Sequence, residues 1–189
     1  MSNTESYREL IEQAVQLALE RSVFEPEEPS IAAIEPAATA IGETLDSTDE
    51  TGKRDFEFTF HTLASDLTQQ LVKTPEDTET LSKIKALLDT AILVCNDGIL
   101  EPAFVFALTD EVMESVSIDI ARDIFDFLEV RAALVRKVMA KTPGKGVQVL
   151  KICNSLLRRI PQATMNEFAG RVQVFIANSF ALSERSGVN

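Results

Sequence analysis

Apolar residues recur at helical spacing along most of this chain, and the longest such stretch is apolar on two sides. The pattern predicts that Ser117 caps a helix running to about Ala140. One side of this helix carries Ile118, Ala121, Ile124, Phe125, Leu128, Val135 and Val138, and another carries Ile120, Phe127 and Leu134. A helix with two apolar sides needs neighbours on both. The sequence therefore predicts an all-α fold, either an elongated layered helical bundle or an irregular α-solenoid of about seven or eight helices.

Helix boundaries are predicted from capping and turn residues. Ser6 opens a capping box, Thr74 before Pro75 marks a second helix start, and Gly98 marks a helix end. Residues 46–54 are acidic and contain no apolar side chain, which predicts a flexible loop rather than a packed element.

Charge is divided unevenly along the chain. Residues 1–130 contain 28 acidic and 8 basic residues, a net charge of −20, whereas residues 131–189 contain 2 acidic and 10 basic residues, a net charge of +8. Two interpretations remain open. The basic part seeks an acidic partner, either protein or nucleic acid, or the two parts neutralise each other within the fold.

The residues that catalytic and metal sites need are scarce. His61 is the only histidine, and Cys95 and Cys153 lie 58 positions apart without a second metal-ligand pair. The stretch TPGKG at 142–146 lacks the spacing of a phosphate-binding loop. We therefore expect no enzyme, no cofactor and no metal site, and we expect both cysteines to be reduced core thiols.

The stretch CNSLLRRI at 153–160 predicts an amphipathic helix. Cys153 lies inside its apolar arc and should be an inert packing residue, while Arg158 and Arg159 point about 100° apart and cannot form one phosphate clamp. Arg171 lies at the edge of the apolar face of the next helix. Arginine pairs well with carboxylates across a protein interface. Arg158, Arg159 and Arg171 are therefore the candidate partner contacts.

The CNSLLRRI stretch belongs to a longer pattern that consists of Cys153, Asn154, Leu156, Leu157, Arg158, Arg159, Phe168, Gly170, Arg171, Gln173, Phe175, Ala177, Phe180, Leu182, Ser183, Glu184, Ser186, Gly187 and Asn189. This pattern resembles a signature of the THO complex subunit 1 family, the Hpr-type subunit of the THO part of the transcription–export (TREX) machinery. A looser likeness is seen in FDFLEVR at residues 125–131.

The resemblance implies a nuclear, non-enzymatic scaffold subunit that couples transcription to mRNA packaging and export. Its partners would be other THO subunits, chiefly the largest one, and a DEAD-box RNA helicase reached through the complex. Contact with RNA or DNA is possible but would be indirect. The lack of an apolar run near the ~18 residues of a membrane span predicts no membrane partner. Residues 1–189 would be a single helical scaffold domain from the N-terminal part of a longer protein, truncated at its C-terminus. The alternative is a helical nucleic-acid-binding module that uses the basic segment 131–189.

Overall fold

The computed structural model describes residues 3–22, 31–45, 50–140, 146–161 and 165–179. Within these residues the chain forms nine α-helices and no strand, which confirms the all-α prediction. The helices are α1 (Asn3–Ser22), α2 (Ile31–Thr44), α3 (Glu50–Lys73), α4 (Thr78–Asn96), α5 (Pro102–Ser115), α6 (Ile118–Val130), α7 (Ala132–Ala140), α8 (Gly146–Arg159) and α9 (Asn166–Ser179).

The helices stack in two layers, as in an irregular α-solenoid. In layer A, α1 packs on α3, α3 on α5, and α5 on α8; in layer B, α2 packs on α4, α4 on α7, and α7 on α9. Four units therefore follow one another along the chain: α1 with α2, α3 with α4, α5 with α6 and α7, and α8 with α9. Each unit buries its apolar face against the next, which is the packing that defines a solenoid.

Polar contacts between units keep a nearly constant sequence spacing. In the described residues from α3 onward, the side-chain hydrogen bonds between helices of successive units link residues 41 to 50 positions apart. This spacing is close to the roughly 40–47 residues of a two-helix solenoid repeat. No exact sequence repeat accompanies it, so the periodicity is structural.

Helix α4 is the centre of the stack. It contacts α1, α2, α3, α5 and α7, and all ten residues from Ala86 to Cys95 are buried. A helix that is apolar all round is buried by neighbours on every side. The one charged residue in this run is Asp89, which is only 3% exposed.

The predicted helix from Ser117 to Ala140 is two helices, which raises the count above the predicted seven or eight. Ser117 does cap it, accepting a hydrogen bond from the backbone N–H of Ile120, but the helix breaks at Arg131. No proline or glycine lies there. The Arg131 backbone leaves α-helical geometry (φ −94°, ψ 13°), and its side chain turns back to reach Asp89 in α4.

Two predicted helix starts are wrong. In one case the helix extends further upstream, and in the other a different residue supplies the cap. Helix α1 begins at Asn3, upstream of Ser6. Helix α4 is capped by Asp77, and not by Thr74, because the Asp77 carboxylate accepts hydrogen bonds from the N–H groups of Glu79 and Thr80. Hydrogen bonds from Thr80 also lower the pKa of Asp77. The predicted end at Gly98 is confirmed, since that residue has φ +78° just after α4.

The predicted acidic loop at 46–54 is wrong in its second half. Residues 50–54 form the first turn and a half of α3, where Glu50 accepts a hydrogen bond from Lys53 at 3.1 Å. An acidic residue in the first turn also interacts favourably with the positive end of the helix dipole. Residues 46–49 lie outside the described residues.

Candidate partner-binding surface

A buried ion pair joins Arg131, which lies between α6 and α7, to Asp89 in α4. The Arg131 guanidinium donates through Nε to Oδ1 of Asp89 and through Nη2 to Oδ2 at 2.6 Å, while lying 3.7 Å from the centre of the Phe127 ring. Burial raises the pKa of the Asp89 carboxyl, and Arg131 opposes that shift. The side chains of Arg131 and Asp89 are 11% and 3% exposed, so this is a structural pair and not a surface contact.

Helices α5 and α8 run in the same direction and are joined by a ladder of polar contacts. Lys151 Nζ donates to Asp110 Oδ2 at 2.6 Å, and one turn later Ser155 Oγ donates to Glu114 Oε1 at 2.5 Å. The hydrogen bond to Asp110 raises the pKa of Lys151. These contacts fix the register of α8 on α5 and so determine which side of α8 remains open.

Arg159 caps the end of α5. Its guanidinium donates to the backbone carbonyl of Met113 at 2.5 Å and to that of Val116. The last carbonyls of a helix have no intrahelical partner, so a cation at this position satisfies them and opposes the helix dipole. Arg159 therefore acts within the fold.

Arg171 also finds its partners within the chain. Its Nη2 donates to Asp126 Oδ1 at 2.7 Å and to Glu129 Oε2, which joins α9 to α6. Hydrogen bonds to Glu129 and Asp126 raise the pKa of Arg171. The three side chains are 35–45% exposed, so this cluster lies at the surface and solvent screens it.

Arg158 differs from the other two candidate arginines. Its side chain is exposed, and it forms no ion pair with the described residues. At 100° per residue it shares the outward face of α8 with Val147, Lys151 and Asn154, which are also exposed. We call these four residues the α8 outer stripe. Of the three candidate partner contacts, Arg158 is the one whose side chain has no partner among the described residues.

Most of the described basic residues of 131–189 bind groups elsewhere in the fold. Seven basic residues of 131–189 fall in the described part of the chain, and five of them donate to groups of other helices: Arg131, Arg136, Lys151, Arg159 and Arg171. Four of these five bind acidic side chains or helix-end carbonyls of α4, α5 or α6. The open interpretation that the two parts of the chain neutralise each other is thus the better supported one.

Cys153 is a core residue, as its position in the apolar arc predicts. It is 1% exposed, and burial raises its pKa to about 12. A neutral buried thiol reacts slowly because the thiolate is the nucleophile. We expect a bulky water-soluble maleimide to label Cys153 at least ~100-fold more slowly in the folded chain than in urea. Mass spectrometry of timed samples measures this, and equal rates would contradict the assigned orientation of α8.

Neither a metal-ligand cluster nor a membrane-spanning helix is found in the described ranges. No three His, Cys, Asp or Glu side chains there are grouped so that they could hold a metal ion. None of the described helices combines the length and apolar character that crossing a bilayer requires. His61 pairs through Nδ1 with Glu111 at 2.6 Å, and this contact joins α3 to α5.

Comparison with known proteins gives one family match and several similar relatives, each over more than half of the chain. Residues 84–189 match the family model described as THO complex subunit 1 transcription elongation factor. The chain is 35% identical over 107 residues to THO complex subunit 1 of Arabidopsis thaliana, which covers 57% of this chain and 18% of that protein. It is 34% identical over 106 residues to THO complex subunit 1 of Homo sapiens, covering 56% and 16%. No solved structure matches the chain.

The matched region covers the part of the helical stack from α4 onward. Residues 84–189 include most of α4 and all of α5 to α9, and so contain the Asp89–Arg131 pair, the α5–α8 ladder and the α8 outer stripe. Sequence reasoning missed Asp89, although a lone acidic residue inside the apolar run from Ala86 to Cys95 was a usable signal. The matched part of each relative is less than a fifth of its length.

Proposed function

The chain belongs to the THO complex subunit 1 family, and from this membership we propose that it is a non-enzymatic helical scaffold of the nuclear THO complex. In this role it would couple transcription to mRNA packaging and export through protein contacts. The observation that carries the proposal is the family match over residues 84–189, which is more than half of the chain.

The partners proposed are other THO subunits, chiefly the largest one. A DEAD-box RNA helicase of the export pathway would be reached through the assembled complex. Solenoid folds support this role because stacked helices present long surfaces without needing a catalytic pocket. The direct test is purification of the chain from nuclei under native conditions, with mass spectrometry of the retained proteins. Absence of every other THO subunit from the retained set would refute the proposal.

Arg158 is the proposed contact on the α8 outer stripe. We expect Arg158→Glu to weaken retention of the partner subunit by at least ~2 kcal/mol, because a carboxylate would then face a carboxylate across a desolvated interface. Helix content should be unchanged, since the Arg158 side chain is exposed. Quantitative pull-down at several partner concentrations measures the loss, and circular dichroism checks the fold.

The matched control is Lys137→Glu, which makes the same charge change at an exposed position on α7. Equal weakening by both variants would show that net charge, and not this contact, sets retention. Arg171→Glu is a poorer test because it would place a third carboxylate beside Asp126 and Glu129 and disturb the α6–α9 contact.

Direct nucleic-acid binding through 131–189 makes a different prediction. RNA affinity would fall steeply with salt, by about one unit of logarithmic slope for each phosphate contact. The internal pairing of Arg131, Lys151, Arg159 and Arg171 speaks against such a surface. This alternative would be favoured if Arg158→Glu abolished a salt-sensitive RNA binding and left retention of the other subunits intact.

A further inference from the structure

An uncharged stripe runs along the outward face of α3, outside the region that matches the family. Its members are Phe58, Thr62, Ser65, Gln69 and Val72, which lie within an arc of about 80° at 100° per residue. Phe58 is 66% exposed and Val72 is 53% exposed. We call these five residues the α3 stripe. Over the ~21 Å between its ends it contains no charged side chain, although a quarter of the chain is charged.

The polar groups of the α3 stripe already have partners within the helix. Thr62 Oγ1 donates to the carbonyl of Phe58 at 2.9 Å, and Gln69 Nε2 donates to Ser65 Oγ at 3.4 Å. Covering the stripe would therefore leave few polar groups without a hydrogen bond, which is the main cost of burying a polar surface. Charged side chains are likewise depleted at the centre of protein interfaces, and exposed aromatic residues are enriched there.

On each side of the stripe, an acidic side chain is engaged in an ion pair. Toward α1, Asp66 lies 3.6 Å from Arg8, and toward α5, Glu111 lies 2.6 Å from His61. A groove of about 300 Å³ follows the α5 side of the stripe and is lined by Ser65, Thr68, Gln69, Val72, Glu111 and Ser115. The stripe and this groove together form an open trough between two helices that run in the same direction.

Basic residues stand at the two ends of the trough. Arg54 lies one turn before Phe58 within the same arc, whereas Asp55 lies about 100° further round the helix, toward α1. Lys73 follows Val72 outside the arc, at the same angle round α3 as Asp55, but it lines the groove. Neither base forms an ion pair with the described residues. The stripe is thus uncharged along its length, with the exposed side chains of Phe58 and Val72 near its ends and polar side chains between them. A base stands beside each end, and the one carboxylate among the described residues of the groove, that of Glu111, is paired with His61.

We propose that the α3 stripe docks an amphipathic helix of another protein subunit, with apolar residues against Phe58 and Val72 about four turns apart, uncharged residues between them and an acidic residue near each end. A helix fits a trough between helices, whereas an extended peptide would need a sheet edge that this helical surface lacks. RNA would find no phosphate contacts along the uncharged centre. A second copy of this chain would bring Arg54 against Lys73 or Arg54 against Arg54, which is repulsive. The inference rests on the proposed function for the origin of the partner.

Cysteine footprinting tests the proposal, because both native cysteines are buried. Phe58→Cys and Val72→Cys are labelled with a maleimide in the free chain and in the purified assembly with other THO subunits. The control is Val130→Cys on α6, whose native side chain is 54% exposed, closely matching Val72. We expect labelling of both stripe positions to slow at least ~10-fold in the assembly, with little change at the control.

Each contrary result has a distinct meaning. Equal labelling in the free and assembled states, or equal slowing at the control, would overturn the inference. Protection that is lost on RNase treatment would identify RNA as the occupant. Protection that is already present in the concentrated free chain would identify a second copy. Either result would also overturn the inference. Failure to assemble with any THO subunit would overturn the proposed function as well, whereas assembly with a freely labelled stripe would overturn this inference alone.

The charge pattern is tested separately. Arg54→Glu combined with Lys73→Glu should reduce retention of the protected assembly by ~10-fold or more, because both acidic ends of the partner helix would face carboxylates. Each reversal is also made singly, and Lys137→Glu, which makes the same single charge change at an exposed position on α7, should leave retention nearly unchanged. Equal retention of the Arg54 and Lys73 reversal and the wild type would refute the acidic-ended partner.

Discussion

Replacing Asp89 with alanine is expected to lower the free energy of unfolding by about 3–5 kcal/mol. Asp89 is 3% exposed at the centre of the stack, and its removal leaves the guanidinium of Arg131 buried without a counter-charge. The cost comes from that uncompensated charge and not from the net strength of the pair. Urea denaturation followed by circular dichroism measures the change.

Two controls separate the charge effect from a general loss of packing. The double variant Asp89→Leu with Arg131→Met should recover most of the lost stability, since apolar residues of similar size often replace a buried pair at little cost. Asp126→Ala removes a carboxylate from the exposed Arg171 cluster and should cost less than about 1 kcal/mol. A loss below about 1 kcal/mol for Asp89→Ala would contradict the assignment of a buried, charged pair.

Phe125→Ala is expected to cost about 3–5 kcal/mol and to loosen α9 in particular. Phe125 is 1% exposed, and its ring packs edge to face on Phe168 at 5.4 Å and on Phe175 at 5.2 Å. The truncation removes both aromatic contacts and leaves a cavity that the surrounding helices fill only in part. Urea denaturation gives the loss of stability, and amide hydrogen exchange should show faster exchange in α9.

Phe58→Ala is the matched control, because it makes the same truncation at a side chain that is 66% exposed. We expect it to change stability by no more than about 0.5 kcal/mol. Similar losses for the two variants would mean that Phe125 does not anchor α9. The control also establishes that substitutions in the α3 stripe leave the chain folded.

The periodic features of the fold were predictable because helical spacing reports which side of a helix is buried. The apolar arc of the CNSLLRRI helix is an example: Ile152, Cys153, Leu156 and Ile160 are all buried. Ser117 and Gly98 were predictable for a local reason, since a cap and a positive φ depend on few neighbouring residues. The all-α class follows from these same signals.

Contacts between helices were not predictable from the spacing of apolar residues within each helix. A helical wheel gives the direction of Arg159 and Arg171, but their partners lie 42 to 46 residues earlier in α5 and α6. The break at Arg131 had no local signal either, since no proline or glycine lies there and the Arg131 side chain binds Asp89 in another helix. The roles of all three arginines therefore depend on how the units stack, which no single segment encodes.

The spacing of 41 to 50 residues between contacting side chains bears on how the chain emerges from the ribosome. Among the described residues from α3 onward, the polar contacts between units join each unit to the one that follows it. At 5–20 residues per second, a stretch of about 45 residues is synthesised in roughly 2–9 seconds, far longer than helix formation takes. The chain can therefore assemble vectorially, and each nascent unit provides the template on which the next one docks.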